Sequence, residues 1–151
     1  MYVGRMFNYL HLSKKTKLIP MKNLELKMTM PVSYDVFENI IVTALEGGSN
    51  YWYLLGDLDP VRAWCKKNDI KNEPMSIKIS KALFNDSEFM LDVYDAENED
   101  DVLGTITQAS LLNAMALHPE EALKFINEDD YDAWTADTLF QTAVMGEVVF
   151  G

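Results

Sequence analysis

Thr43-Ala-Leu-Glu-Gly-Gly-Ser-Asn-Tyr-Trp-Tyr53 sets a glycine pair between an apolar helical pattern and three consecutive aromatic residues. Upstream, Phe37, Ile40, Ile41, Ala44 and Leu45 recur at helical spacing. Ser33 stands where an N-cap belongs, and Asp35 and Glu38 lie near the positive end of the helix dipole. This pattern predicts a helix over 34–46, and we read Gly47-Gly48 as its C-cap, because a left-handed helix end is cheap only for glycine. The alternative is a kinked helix running on through the pair, since Ala44, Gly48, Tyr51 or Trp52, and Leu55 keep the phase. That version costs about 1 kcal/mol per glycine and needs a packing or functional reason.

On either side of this stretch the periods change. Leu24, Leu26, Met28 and Met30 alternate with Glu25, Lys27 and Thr29, which predicts a half-buried strand over 23–32 ending near Pro31. Asp59-Pro60 is a helix start, with Val61, Trp64 and Cys65 on one stripe. After the Glu73-Pro74 break, Ile77, Ile79, Ala82, Leu83 and Phe84 suit a short helix better than a strand. Residues 88–94 and 102–106 read as a hairpin with Asp95–Asp101 as its polar connection. Thr107 caps a further helix, His118-Pro119 breaks it and starts another, and a last helix over 131–145 stops at Gly146. Residues 147–150 read as a terminal strand. Elements alternate without βαβ repeats, so the expected fold is α+β: one domain over 21–151, with a small antiparallel sheet (residues about 23–32, 88–94, 102–106 and 147–150) packed with several helices. Residues 1–20 have no clear period and read as a basic leader or start-site extension.

The 151 residues suffice for one domain with a real core. There is no apolar run of 18 residues, no signal-peptide order, and one cysteine, Cys65. We therefore expect no membrane span and a cytoplasmic address. The net charge of −11 is uneven: residues 1–30 carry six bases and one acid (+5), residues 31–151 seven bases and 23 acids (−16). So acidic a body opposes direct binding of nucleic acid, which demands cations against phosphates.

Few chemistries survive. With only His11 and His118 as histidines, a Cys65 nucleophile lacks an obvious base, and a His/Cys metal set is nearly excluded. Asp95-Ala-Glu-Asn-Glu-Asp-Asp101 imitates a calcium loop but places Asp100 at the sharp-turn glycine and Ile106 at the bidentate glutamate. No phosphate-cradling glycine motif is present, and we expect no cofactor, no metal and no catalytic residue, although 24 acids leave a paired-carboxylate hydrolase open. What remains is aromatic and amide chemistry: Asn50, Tyr51, Trp52 and Tyr53 beside the glycines, and Tyr131, Trp134, Thr135, Asp137 and Gln141 along the last helix. Such a mixture suits a flat polar ligand held by stacking and amide contacts. The competing reading makes Trp52 and Trp134 core residues.

Thr43-Ala-Leu-Glu-Gly-Gly-Ser-Asn-Tyr-Trp52 together with Thr135-Ala-Asp-Thr-Leu-Phe-Gln-Thr-Ala-Val-Met-Gly-Glu-Val-Val-Phe-Gly151 resembles a family of small uncharacterised bacteriophage and prophage proteins. That family pairs an E-G-G-x-x-Y-W segment with a T-A-D-x-x-x-Q-x-A-x-x-G-E-x-V-x-G segment. The resemblance spans roughly residues 22–151 and implies a setting in the host cytoplasm rather than a mechanism. It groups Glu46, Gly47, Gly48, Tyr51, Trp52, Thr135, Asp137, Gln141, Gly146 and Glu147 into one constellation. The expected function is that of a non-enzymatic accessory protein binding a small polar ligand, such as a nucleotide signal of host defence. The alternative is an acidic interaction module for a basic host protein. The ligand set comprises Glu46, Gly47, Gly48, Asn50, Tyr51, Trp52, Trp134, Thr135, Asp137, Gln141 and Glu147. Residues 46–52 should then pack on the last helix, and a ligand further requires a concave opening there. A solid junction would make both motifs structural.

Overall fold

Ten consecutive residues of the last helix, Thr135 to Val144, are buried, and the rest of the domain is wrapped around them. A helix buried on every side cannot show an amphipathic stripe; it must be apolar or satisfied all round. In this computed structural model the described residues are 26–151. The chain divides into two units, Met1–Met30 and Pro31–Gly151, and the architecture below belongs to the second. The basic leader, His11 and residues 23–25 lie outside the described residues.

Helix α1 (Tyr34–Thr43) starts at Ser33, whose Oγ accepts from Val36 N, and buries Phe37, Ile40 and Ile41. It runs directly into one π-helical turn, Ala44–Gly48. Ser49 N bonds Ala44 O at 3.0 Å, five residues back, and Trp52 N then bonds Ser49 O in a tight turn. The left-handed cap expected at the glycine pair is therefore not formed: the cap residue, Ser49, has φ −108° and ψ −5°. Nothing lies within 4 Å of where a Cβ would stand on Gly47, so neither space nor a left-handed φ demands glycine at that position of the widened turn.

Strand β1 (Tyr53–Leu55) follows at once, pairing antiparallel with β2 (Met90–Asp95), which pairs antiparallel with β3 (Val102–Thr107). The order is β1-β2-β3. Between β1 and β2 come α2 (Asp59–Lys67) and α3 (Met75–Asn85). After β3 come α4 (Gln108–Leu117), boxed by Thr107 and Ser110, then α5 (Pro119–Ile126) and α6 (Ala133–Met145). Leu91, Val93 and Ile106 turn inward to the core shared by Phe37, Ile40, Leu83, Leu111, Phe125, Leu139 and Phe140.

The fold is thus a single α+β domain, with two corrections to the expected sheet. Residues 26–32 form no strand, and Leu26 and Met28 are exposed, so alternation there does not report a buried face. Residues 147–150 form no strand either, because Val149 N and Phe150 N are taken by the Gln141 side chain rather than by a ladder. The strand that sequence reasoning missed is Tyr53–Leu55, inside the aromatic run itself. The last helix begins at Ala133 rather than 131, where the Asp132 side chain accepts from Thr135 N, and ends as expected at left-handed Gly146 (φ 84°).

Opposite Val93 stands Gly104, and Leu103 is the extra residue of a β-bulge before Val102 meets Tyr94. A Cβ on Gly104 would lie 2.1 Å from the backbone oxygen of Val144, so β3 rests on α6 only because this side chain is absent. Gly104→Ala should destabilise the domain by about 1–3 kcal/mol or more through overpacking against backbone. Urea or thermal unfolding reads this directly; an unchanged transition would mean that β3 and α6 are not in such contact.

Candidate functional site

Three consecutive residues after the π turn are delivered onto α6 in different ways. Trp52 is buried and donates from Nε1 to Asp137 Oδ1 at 2.8 Å. Tyr51 is about half exposed and donates from its hydroxyl to Asp137 Oδ2 at 2.9 Å. Tyr53 is buried with its ring edge-on to Phe140. Gln141, one turn along α6, donates from Nε2 to the same Asp137 Oδ2 at 2.8 Å. The carboxylate in mid-helix therefore accepts three hydrogen bonds, which is what makes a 3 % exposed carboxylate tolerable.

Gln141 is fully buried and spends its whole amide. Its Oε1 accepts from Val149 N (2.9 Å) and Phe150 N (2.8 Å), while Nε2 also donates to Phe150 O at 2.8 Å. These bonds fold the tail after Gly146 back along α6 and bring Phe150 against Trp52, the rings stacked at 5.5 Å and 11°. Trp52 is thereby enclosed by Phe150, Phe140 and Tyr53. Alanine or leucine at 141 would supply none of the tail's partners. A glutamine can act like a strand edge, with one acceptor and two donors on a planar group.

The two motif segments meet, then, but not all their residues do. Tyr51, Trp52, Asp137 and Gln141 form one bonded cluster. Thr135 is buried yet belongs to the start of α6, where both its N–H and its hydroxyl donate to Asp132. Those two bonds hold the Asp132 carboxyl below the usual carboxylate range. Glu46 accepts instead from Ser76 of α3. Asn50, Trp134 and Glu147 are exposed, without a side-chain hydrogen bond among the described residues; Gly47 is exposed too, and Gly48 closes the π turn. Tyr53, named with Asn50, Tyr51 and Trp52 beside the glycines, joins the cluster, and Phe140 and Phe150, which were not among the sequence candidates, complete it. Phe140 adjoins Gln141 and Phe150 is the penultimate residue of the second motif, so the only available signal was that the motif ran so far past Gly146.

Two open grooves lie elsewhere among the described residues, near the ends of α2 and α3. A groove of about 470 Å³ is lined by Trp64, Lys67, Asn68, Ile70, Asn85 and Asp86. No group of three or more His, Cys, Asp or Glu suited to a metal ion occurs among the described residues. Cys65 is buried on α2, and burial pushes its thiol up, away from the thiolate form. No helix of the described residues is long and apolar enough to cross a membrane. Comparison with family models, with curated proteins and with solved structures returns no match.

The cluster is pH-sensitive on the alkaline side. Burial, and secondarily the Asp137 charge, push the Tyr53 phenol from 10.0 up to about 12. Burial and the bond to Asp137 likewise raise Tyr51. A phenol whose pKa is higher in the folded state gives stability that is fully present below its unfolded pKa and is lost as pH rises through the folded value. Stability should therefore fall between about pH 10 and about pH 12. Tyr53→Phe, which cannot ionise, should flatten that fall in thermal melts followed across this range. An identical fall in the variant would remove Tyr53 as its source.

Proposed function

We propose that the chain is a small phage-type accessory protein with no catalysis of its own, which engages a basic partner protein through the negative surface of its second half. The observation that carries this reading is the segregation of charge. Residues 31–81 hold seven acids and six bases, net −1, whereas residues 82–151 hold 16 acids and one base, Lys124, net −15. Among the described residues, the three ion pairs (Arg62–Asp59, Lys71–Asp69 and Lys81–Glu73) all lie in the first of these segments. The acids of the hairpin connection, Glu97, Glu99, Asp100 and Asp101, and those before α6, Glu128, Asp129, Asp130 and Asp132, are exposed. One-signed fields of this kind steer a cationic protein and repel phosphates.

The resemblance to phage proteins supports the setting, in a host cell's cytoplasm. Binding of a small polar ligand at the two motifs is placed second, because Asp137 and Gln141 already use their polar atoms on Trp52, Tyr51 and the tail.

The test compares the chain with a variant carrying Glu97→Gln, Glu99→Gln, Asp100→Asn and Asp101→Asn in capture from bacterial lysate at low and high salt, beside a nucleotide thermal-shift screen. Capture of a basic protein that weakens with salt and with neutralisation is expected. Salt-insensitive capture contradicts the reading. So does a nucleotide that stabilises the chain by about 2.7 kcal/mol at a hundred times its Kd.

A further inference from the structure

The sheet has a second face. Along β2, Leu91 and Val93 are buried while Met90, Asp92 and Tyr94 turn the other way. Leu54 pairs with Tyr94, and Tyr94 with Val102, so these three side chains form one rung across all three strands on that outward face. Leu54 is 39 %, Val102 50 % and Met90 60 % exposed. Past Leu54, Gly56 N bonds Asp92 O at 2.8 Å, and Tyr94 Cε2 lies 2.9 Å from where a Gly56 Cβ would stand. The ring is thus laid over bare backbone, widening the apolar surface toward the β1 edge.

This apolar strip is rimmed with acids. Asp92 sits within the face, fixed by Thr105 Oγ1 at 2.9 Å. The rung lies at the hairpin end, next to Asp95, Glu97, Glu99, Asp100 and Asp101, and no Lys or Arg occurs between Lys81 and Lys124. A second copy would bring the same acids against these, and nucleic acid or an anionic membrane would bring phosphates; charge opposes all three. The dimensions suit a helix. Three strands about 4.8 Å apart make the face about 10 Å wide, and Met90 and Tyr94, about 13 Å apart, stand on either side of the polar Asp92–Thr105 pair. A helix is about 10 Å across and rises 5.4 Å per turn, so slightly more than two turns cover the strip.

We infer that the outward face of Leu54, Met90, Tyr94 and Val102 docks a cationic amphipathic helix of a partner protein, leucine-like residues on the strip and lysine or arginine against the acidic rim. This rests on the interaction reading above and gives that reading its surface.

The probe is a synthetic Leu/Lys peptide of about 18 residues with leucines at i, i+3, i+4 and i+7 spacing, against an isomer of equal composition with the leucines dispersed. Binding to the full chain is followed by fluorescence anisotropy near physiological salt. The striped peptide should bind about tenfold more tightly than its isomer. Leu54→Thr with Val102→Thr, which keeps strand-compatible residues, should abolish that preference. Neutralising Glu97, Glu99, Asp100 and Asp101 should weaken both peptides alike. Peptide-induced amide shifts at Leu54, Met90, Tyr94 and Val102 in the unaltered chain provide a readout independent of the variants' folding. Equal binding of the two isomers, or shifts confined to other residues, would overturn the docking face while leaving an electrostatic partner surface standing. Binding that ignores the acids would remove both.

Discussion

A carboxylate in the middle of a helix in the middle of a core is the constraint around which this protein is arranged. Left without partners, an ionised Asp137 would cost several kcal/mol to bury. Trp52 Nε1, Tyr51 Oη and Gln141 Nε2 all point at it within 2.9 Å. Each such charge-assisted bond contributes about 1.5–3 kcal/mol, so three of them offset the burial only as a set. The partners come from a turn some 85 residues upstream and from one helical turn along, which couples the segment after the π turn to the last helix.

Several local oddities follow from that coupling. The π turn at Ala44–Gly48 places Ser49 against Ala44 and sends Trp52 onto α6 with Tyr53 already entering β1. A regular left-handed cap would redirect the chain. The tail after Gly146 needs no sheet, because the Gln141 amide satisfies it and Phe150 closes over Trp52. The interior of the site is self-contained, and the surface is left to carry charge and the outward face of the sheet.

How much of this was legible depended on what each element borrows from its neighbours. The hairpin, α3, α4 and α5 could be read because their signals are local: alternation over 88–94, the Thr107 cap, Pro119 at a first turn. Alternation over 26–32 misled because period says which side chains share a face and not whether anything covers it. Tyr53–Leu55 is too short to have a period and is a strand only because β2 lies beside it. Residues 147–150 have strand-like composition, but a side chain, not a strand, receives their amides. At the site, Asp137 and Gln141 at a spacing of four and the aromatics after Gly47-Gly48 stood out as unusual chemistry. That they bond one another could be guessed from the paired motifs. That Phe150 covers Trp52, and that Trp134 and Asn50 stay outside, depends on packing geometry that no residue spacing encodes.

The central claim is that Trp52 and Asp137 are held together by a direct bond in a filled core. A double-mutant cycle of Trp52→Phe and Asp137→Asn, each measured by urea unfolding, tests it most directly. A bond made by a buried charge should appear as a coupling of about 1.5–3 kcal/mol between the two substitutions. Additive effects, agreeing within about 0.3–0.5 kcal/mol, would mean that the two residues do not interact and that the two segments are joined in some other way.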